Sequence, residues 1–148
     1  MAAQNTMTNP EVTAPLLEPT LEAPLNSLTN ATVLSYFDRF NAADFAAVAE
    51  LFAVDGQMLP PFEAAIVGRG AIANYLVAEA KGMKAIPQEG SEQLLPSGET
   101  QVQVVGQVQT PLFSVNVGWQ FMLNSASEII SVQIKLLAAL RDLLHLKR

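Results

Sequence analysis

Near Thr100 the spacing of apolar residues changes from about 3.6 to 2, and this switch constrains the fold more than any other feature of the chain. Before it, Val33, Tyr36, Phe37 and Phe40 recur at i, i+3, i+4 and i+7, with Thr29 or Asn30 available as an N-cap. Phe45, Val48, Ala49 and Phe52 repeat the spacing from Asp44 up to Asp55-Gly56, so the two segments read as a helical hairpin. Gln57 to Val67 holds Pro60-Pro61 and reads as two short extended pieces around a rigid turn. A third helix is expected from about Gly70 to Lys84, with Ile72, Tyr75, Leu76, Ala80 and Met83 as its stripe. Residues 85 to 99, marked by Pro87, Gly90, Pro96 and Gly98, read as mostly irregular.

After the switch, Val102, Val104, Gly106, Val108 and Thr110 share one face of a strand. Phe113, Val115, Val117, Trp119, Phe121 and Leu123 share one face of the next. A third strand puts Ile130, Val132, Ile134 and Leu136 inward after a turn at Asn124 to Ser127, and Leu137 to Lys147 reads as a short terminal helix. Helices first and antiparallel strands afterwards define an α+β fold, with helices packed on one face of a curved sheet.

Composition narrows the function. At 148 residues, 50% hydrophobic and 15% charged, the chain has one domain's length and enough apolar surface for a core. A net charge of -6 argues against nucleic acid and against an anionic membrane surface as partners. The absence of cysteine removes disulfides, thiolate nucleophiles and zinc-thiolate sites, and the single His145 removes a polyhistidine metal site, so no metal is expected. No segment approaches a membrane span, and a cytoplasmic location is expected. Residues 1 to about 27 hold four prolines and three glutamates without a cation, and read as a flexible Pro-rich tail ahead of a domain over 28–148.

Residues 100 to 123 carry no charge at all, although one face of each strand there is polar. Solvated sheet edges usually carry lysine or glutamate, so this glutamine-rich face is expected to be covered, by the chain's own termini or by a second subunit. Tyr36 and Trp119 each place a hydrogen-bond donor among inward apolar residues; on periodicity alone, such residues are more often core. Glu79 lies at the edge of the third helix stripe, while Asp38, Asp44, Asp55 and Glu63 fall where acids are ordinary. No inward carboxylate pair, nucleophile motif, glycine-rich phosphate loop or metal-ligand spacing is present.

Asn41-Ala42-Ala43-Asp44-Phe45 followed by Leu51-Phe52-Ala53-Val54-Asp55-Gly56 resembles the helical hairpin of nuclear-transport-factor-2-like (NTF2-like) domains, whose cone of three helices on a curved antiparallel sheet has the element order above. Over about residues 28 to 148 the chain resembles more closely the C-terminal domain of the cyanobacterial orange carotenoid protein family. The resemblance rests on LTNATVLSYFDRFNAADF, ELFAVDGQMLPPFEAAIVGRGAI, GQVQTPLF, VNVGWQFML and IKLLAALRDLLHLKR. It implies a free-standing homologue that binds a keto-carotenoid of the canthaxanthin or echinenone type across a homodimer, serves as a carotenoid carrier, and quenches reactive oxygen in photoprotection. It also implies exchange with helical carotenoid proteins and only transient membrane contact during pigment uptake.

By the same resemblance, Tyr36 of SYF and Trp119 of GWQF hydrogen-bond the ring ketone. Thr110, Pro111, Phe113, Met83 and Ile134 match tunnel-lining positions, and Glu79 matches an acid facing the partner domain. The chain departs from the pattern at Leu112, where a second tryptophan is expected, at Ala80 in place of a cysteine, and at Lys135 in place of an aspartate. The connection before Trp119 is shorter, and Ala80 excludes thiol control of dimerisation. Two alternatives have other chemistry: a ligand-free dimerisation module, and an enzyme of ketosteroid-isomerase type. That enzyme's oxyanion-hole tyrosine falls on Tyr36 but its general base falls on Pro60, which takes no proton, so no enzyme is expected.

Overall fold

The structure, a computed structural model, describes Ala23–Pro24 and residues 29–137. Its helices are α1 (Ala31–Asn41), α2 (Phe45–Ala49) and α3 (Arg69–Glu79). Its strands are β1 (Ala23–Pro24), β2 (Phe52–Leu59), β3 (Ile66–Val67), β4 (Lys84–Leu94), β5 (Thr100–Gln109), β6 (Ser114–Leu123) and β7 (Ile129–Leu137). They form one sheet in the order β1-β4-β5-β6-β7-β2-β3, antiparallel throughout except where β2 runs parallel to β7. This is the α+β arrangement expected from the sequence.

Helix α1 starts where Asn30 caps it, the side chain accepting from the Val33 amide at 3.0 Å, and it buries the expected stripe of Val33, Tyr36, Phe37 and Phe40. Asp44 caps α2 in the same way, through the Ala47 amide at 3.3 Å. The second helix is shorter than its periodicity suggests. It stops at Ala49, and Phe52, expected on its stripe, begins β2 instead. The Ile129 amide donates to the Leu51 carbonyl at 3.0 Å and draws the chain into the sheet, where Phe52 is still fully buried. Asp55-Gly56 likewise ends no helix. A Cβ on Gly56 would lie 2.6 Å from the Ile129 carbonyl, so this glycine lets β2 run close beside β7.

A second correction concerns residues 85 to 99. Eleven residues, Lys84–Leu94, form a strand paired along its length with β5. Pro87 does not break it because the register shifts between Pro87 and Glu89, a bulge that absorbs the missing amide. Gly106 lies opposite; a Cβ there would collide with the Ile86 carbonyl and come within 2.8 Å of Pro87 Cα. A third correction lies in β7. Ile129 rather than Ile130 points inward, because the register with β6 slips between Met122 and Leu123 and reverses the alternation for one residue. The hairpin before it is as expected, its Asn124 side chain accepting from the Ala126 and Glu128 amides at 3.0 and 2.9 Å.

The third helix spans Arg69–Glu79, starting one residue before the expected Gly70 and ending five before the expected Lys84, so Ala80 and Met83 of its expected stripe fall in the turn that leads into β4 through Gly82 at φ 85°. Arg69 ties its start to β2, Nε donating to the Phe52 carbonyl at 2.8 Å. The expected tail over 1–27 and terminal helix over 137–147 lie largely outside the described residues. Of the tail, the backbone of Ala23–Pro24 pairs with Gly90 and Glu89. The core lies between the helices and one sheet face, where Val33, Val48 and Ile72 meet Val102, Val104, Phe121, Leu123 and Val132.

Gly106→Ala is expected to destabilise the fold by about 1–3 kcal/mol, the usual cost of forcing atoms into a packed site, because the obstructing atoms are backbone. Equilibrium urea unfolding measures this, and an unchanged midpoint would mean that the Pro87 bulge relaxes freely.

Candidate functional site

The helices do not cover the whole inner face of the sheet. At the end where β5 and β6 meet the loop after β2, they leave a cavity of about 390 Å³. Tyr36 and Phe40 of α1, Leu76 and Glu79 of α3, and Ala80 and Met83 just beyond it form one side. Val108 and Thr110 of the β5 end, Val115, Val117 and Trp119 of β6, and Ile134 and Leu136 of β7 form the other. Pro60, Pro61, Phe62 and Glu63, with Phe113, lie along its opening. The wall is almost wholly apolar and, among the described residues, carries no Lys, Arg or His.

Two donors within this wall are buried. Tyr36 is 1% exposed and Trp119 is 4% exposed. They are held by an aromatic cluster: Tyr36 meets Phe121 edge-on at 5.0 Å and stacks near Phe40 at 6.2 Å, while Phe37 meets Trp119 edge-on at 4.9 Å. Neither the phenol O–H nor the indole N–H has a hydrogen-bond partner among the described residues. Burial pushes the Tyr36 phenol well above the ordinary tyrosine range, so it remains a neutral donor.

Thr110 and Phe113 line the cavity, as do Met83 and Ile134. Thr110 does so with its hydroxyl occupied. It donates to the Phe113 carbonyl at 2.9 Å and accepts from the Phe113 and Leu112 amides at 3.0 and 3.2 Å, folding the turn that presents Phe113. Pro111 is not on the wall; its ring packs over Gly82, joining that turn to the start of β4. Glu79 is exposed and borders the cavity.

Sequence reasoning missed several wall residues. Val115, Val117 and Leu136 were recoverable, since they alternate in phase with Trp119 and Ile134. Met58 was not, because the irregular stretch between Phe52 and Gln57 hides the phase of β2. Tyr75 also lines the cavity and donates to the Glu63 carboxylate at 3.1 Å. Its phenol is pushed up to about 12, first by burial, then by that hydrogen bond and the negative charges of Glu63 and Glu79. No cluster of His, Cys, Asp or Glu suited to a metal ion occurs among the described residues, and no helix among them is long and apolar enough to cross a membrane.

Three helices against one face of a curved sheet, with an apolar cavity at one end, define an NTF2-like protein. No family model matches the chain. It is 42% identical over 128 residues to the orange carotenoid-binding protein of Synechocystis, an alignment covering 84% of this chain and 40% of the relative. It is 41% identical over 126 residues to the orange carotenoid-binding protein of Limnospira maxima, covering 82% and 40%. Among solved structures, the orange carotenoid protein of Anabaena (Nostoc) binding canthaxanthin superposes with a TM-score of 0.76 at 35% identity, covering 93% of this chain and 47% of that one.

The chain is a homologue of the C-terminal domain of the orange carotenoid proteins. It spans about two fifths of the length of the curated relatives it matches. Those relatives are named as binding proteins, in keeping with the non-enzymatic reading of the sequence.

The Tyr36 phenol gives a pH prediction. An unfolded tyrosine loses its proton at about pH 10, whereas buried Tyr36 keeps its own to higher pH. Its contribution to stability is therefore complete below about pH 10 and is lost as pH rises beyond that. Tyr36→Phe is expected to remove this part of the alkaline decline. In the ligand-free protein at neutral pH it is expected to melt no lower than wild type, since it deletes a buried donor without a described partner. Thermal melts at neutral pH and above pH 10 test both; a large loss at neutral pH would mean that the hydroxyl is satisfied within the protein.

Proposed function

We propose that this chain binds a keto-carotenoid of the canthaxanthin or echinenone type, with the ring ketone held by Tyr36 and Trp119. The observation that carries this reading is the pair of buried donors, without described partners, on an otherwise apolar wall. A buried donor without an acceptor costs about 1–3 kcal/mol, so a pure hydrocarbon would leave both unpaired. An anion would find no cation among the described residues of the wall. A ketone on an apolar skeleton meets both conditions, accepting two hydrogen bonds without bringing charge. Drawing electron density onto the ketone oxygen extends the conjugation of the polyene toward the ring and moves absorption to the red.

The cavity has room for one end of such a molecule. The polyene then leaves past Phe62, which is 94% exposed in a left-handed backbone conformation (φ 63°), and past Phe113 and Leu136, which are also exposed. A second copy placed mouth to mouth would cover these residues and hold the other ring with its own Tyr36 and Trp119, so a homodimer enclosing one pigment suits a long molecule with similar ends. We place the protein as a carrier that passes pigment to helical carotenoid-binding partners, with exposed Glu79 beside the opening facing them, contacts membranes only in taking up pigment, and quenches reactive oxygen while loaded. An isomerase of that type lacks its general base, because Pro60 stands at that position; the carboxylates on the cavity, Glu63 and Glu79, are exposed, and Glu63 accepts from the Tyr75 hydroxyl.

Expression in a canthaxanthin-producing host, with absorption spectra and sedimentation, tests the reading. A coloured dimer is expected. Tyr36→Phe is expected to weaken binding by about 0.5–1.5 kcal/mol and to shift absorption to the blue; Trp119→Phe should do the same with some added packing loss. The double variant should discriminate poorly between canthaxanthin and β-carotene. A colourless protein overturns the proposal, and a pigmented monomer overturns its dimer.

A further inference from the structure

The two donors stand on different elements, Tyr36 on α1 and Trp119 on β6, so their spacing is the spacing of helix and sheet. The Tyr36 hydroxyl has no described partner of its own to fix it. Beside its aromatic packing on β6, the helix has polar ties to the sheet near its two ends. Near the start, Thr32 donates to the Ser127 carbonyl at 2.8 Å, reaching the β6–β7 hairpin. At the last residue, the Asn41 side-chain amide pairs with β4 as a strand would: Nδ2 donates to the Ala85 carbonyl at 2.8 Å, and Oδ1 accepts from the Ala85 amide at 2.7 Å. Lys84 completes the joint, its Nζ donating to the Asn41 carbonyl at 2.6 Å.

We propose that Asn41 is the positioning residue of the ketone site, setting through α1 the distance between Tyr36 and Trp119. This rests on the proposed function above. Asn41 lies about 7.5 Å along the helix from Tyr36, at 1.5 Å per residue, and follows Phe40, which stacks on the Tyr36 ring and lines the cavity. Ala85 follows Met83 by two residues, so the joint ties α1, which bears Tyr36 and Phe40, to the segment entering β4, which bears Ala80 and Met83. Hydrogen bonds weaken steeply with distance and angle, so a small displacement of the helix end is felt at the ketone. The side chain must both donate and accept at a fixed length. Aspartate keeps the acceptor and turns a carboxylate oxygen toward the Ala85 carbonyl, and alanine loses both bonds.

Asn41→Ala and Asn41→Asp test this in the canthaxanthin-loaded full chain. Each is expected to reproduce most of the blue shift of Tyr36→Phe, although the phenol is still present, and adding Tyr36→Phe to either should produce little further shift. Trp119 is the one tryptophan of the sequence and packs against Phe37 of α1. Its emission therefore reports the helix–sheet spacing without pigment, and is expected to move to longer wavelength in both variants while circular dichroism stays folded. Lys84→Met relaxes the same joint more mildly and should shift emission and colour in the same direction, should the other two fail to fold. A folded Asn41 variant with lowered melting temperature but wild-type emission, wild-type colour and the full additional effect of Tyr36→Phe overturns the proposal. If Tyr36→Phe leaves the colour unchanged, or no pigment binds, the ketone site fails instead, and Trp119 emission alone then decides whether Asn41 positions the helix.

Discussion

The packing of one aromatic helix face on one strand underlies both the stability of this protein and its candidate site. Tyr36 and Phe37 of α1 meet Phe121 and Trp119 of β6 edge to face, with ring centroids 4.9 to 5.9 Å apart, and Phe40 stacks on Tyr36 from the same helix face. Such pairs contribute about 0.5–1.5 kcal/mol each beyond the area they bury, and their geometry resists sliding more than aliphatic packing does. Three of these rings, Tyr36, Phe40 and Trp119, also line the cavity, and Phe37 and Phe121 back them. The chain thus does not append a site to a finished core; the core ends in one.

At one end, Val33, Leu123 and Ile129 fill the space between helix and sheet completely. At the other, the sheet extends past the helices, and the rim is made of turns: Pro60 to Glu63 after β2, and Thr110 to Phe113 between β5 and β6. Their rigidity is chemical. Prolines stiffen the first, and a hydroxyl making three contacts stiffens the second. Between them Phe62, Leu112 and Phe113 stand in solvent, an apolar exposure that rewards any apolar surface laid against it.

The helix face of α1, strands β5 and β6 and the hairpin at Asn124 were legible because their periods are long and clean, while β7 was legible as a strand but not in the phase of its first residue, which the register slip against β6 sets. The strand at Lys84–Leu94 was not, since Pro87 and Gly90 are read as breakers unless the bulge and the pairing with Gly106 are known, and both are tertiary facts. Phe52 misled for a related reason: a buried residue at helical spacing is equally buried as the first residue of a strand. Tyr36 and Trp119 were visible as inward donors, but periodicity assigned them to ordinary core. Only the resemblance to a family singled them out, and only the structure shows that they share a cavity and have no described partners. Pro111, which the resemblance matches to a tunnel-lining position, packs over Gly82 in the turn beside the cavity, while Thr110 and Phe113 of the same turn line it.

The parallel pairing of β2 with β7 has a consequence for how the protein is made. On one side Gln57 and Met58 pair with nearby Val67 and Ile66, but on the other their partners are Ser131 and Val132, so β2 joins the rest of the sheet only after the chain has been synthesised well past Trp119. Ile134 and Leu136, which complete the cavity wall, arrive with that same late strand. Contacts so distant in sequence form slowly, because loop closure is costly before they reward it. A nascent chain still lacking β7 therefore presents α1 and the hairpin without an enclosed chamber. The chamber is thus complete only once β7 has paired, and any molecule reaching it afterwards passes the rim of turns.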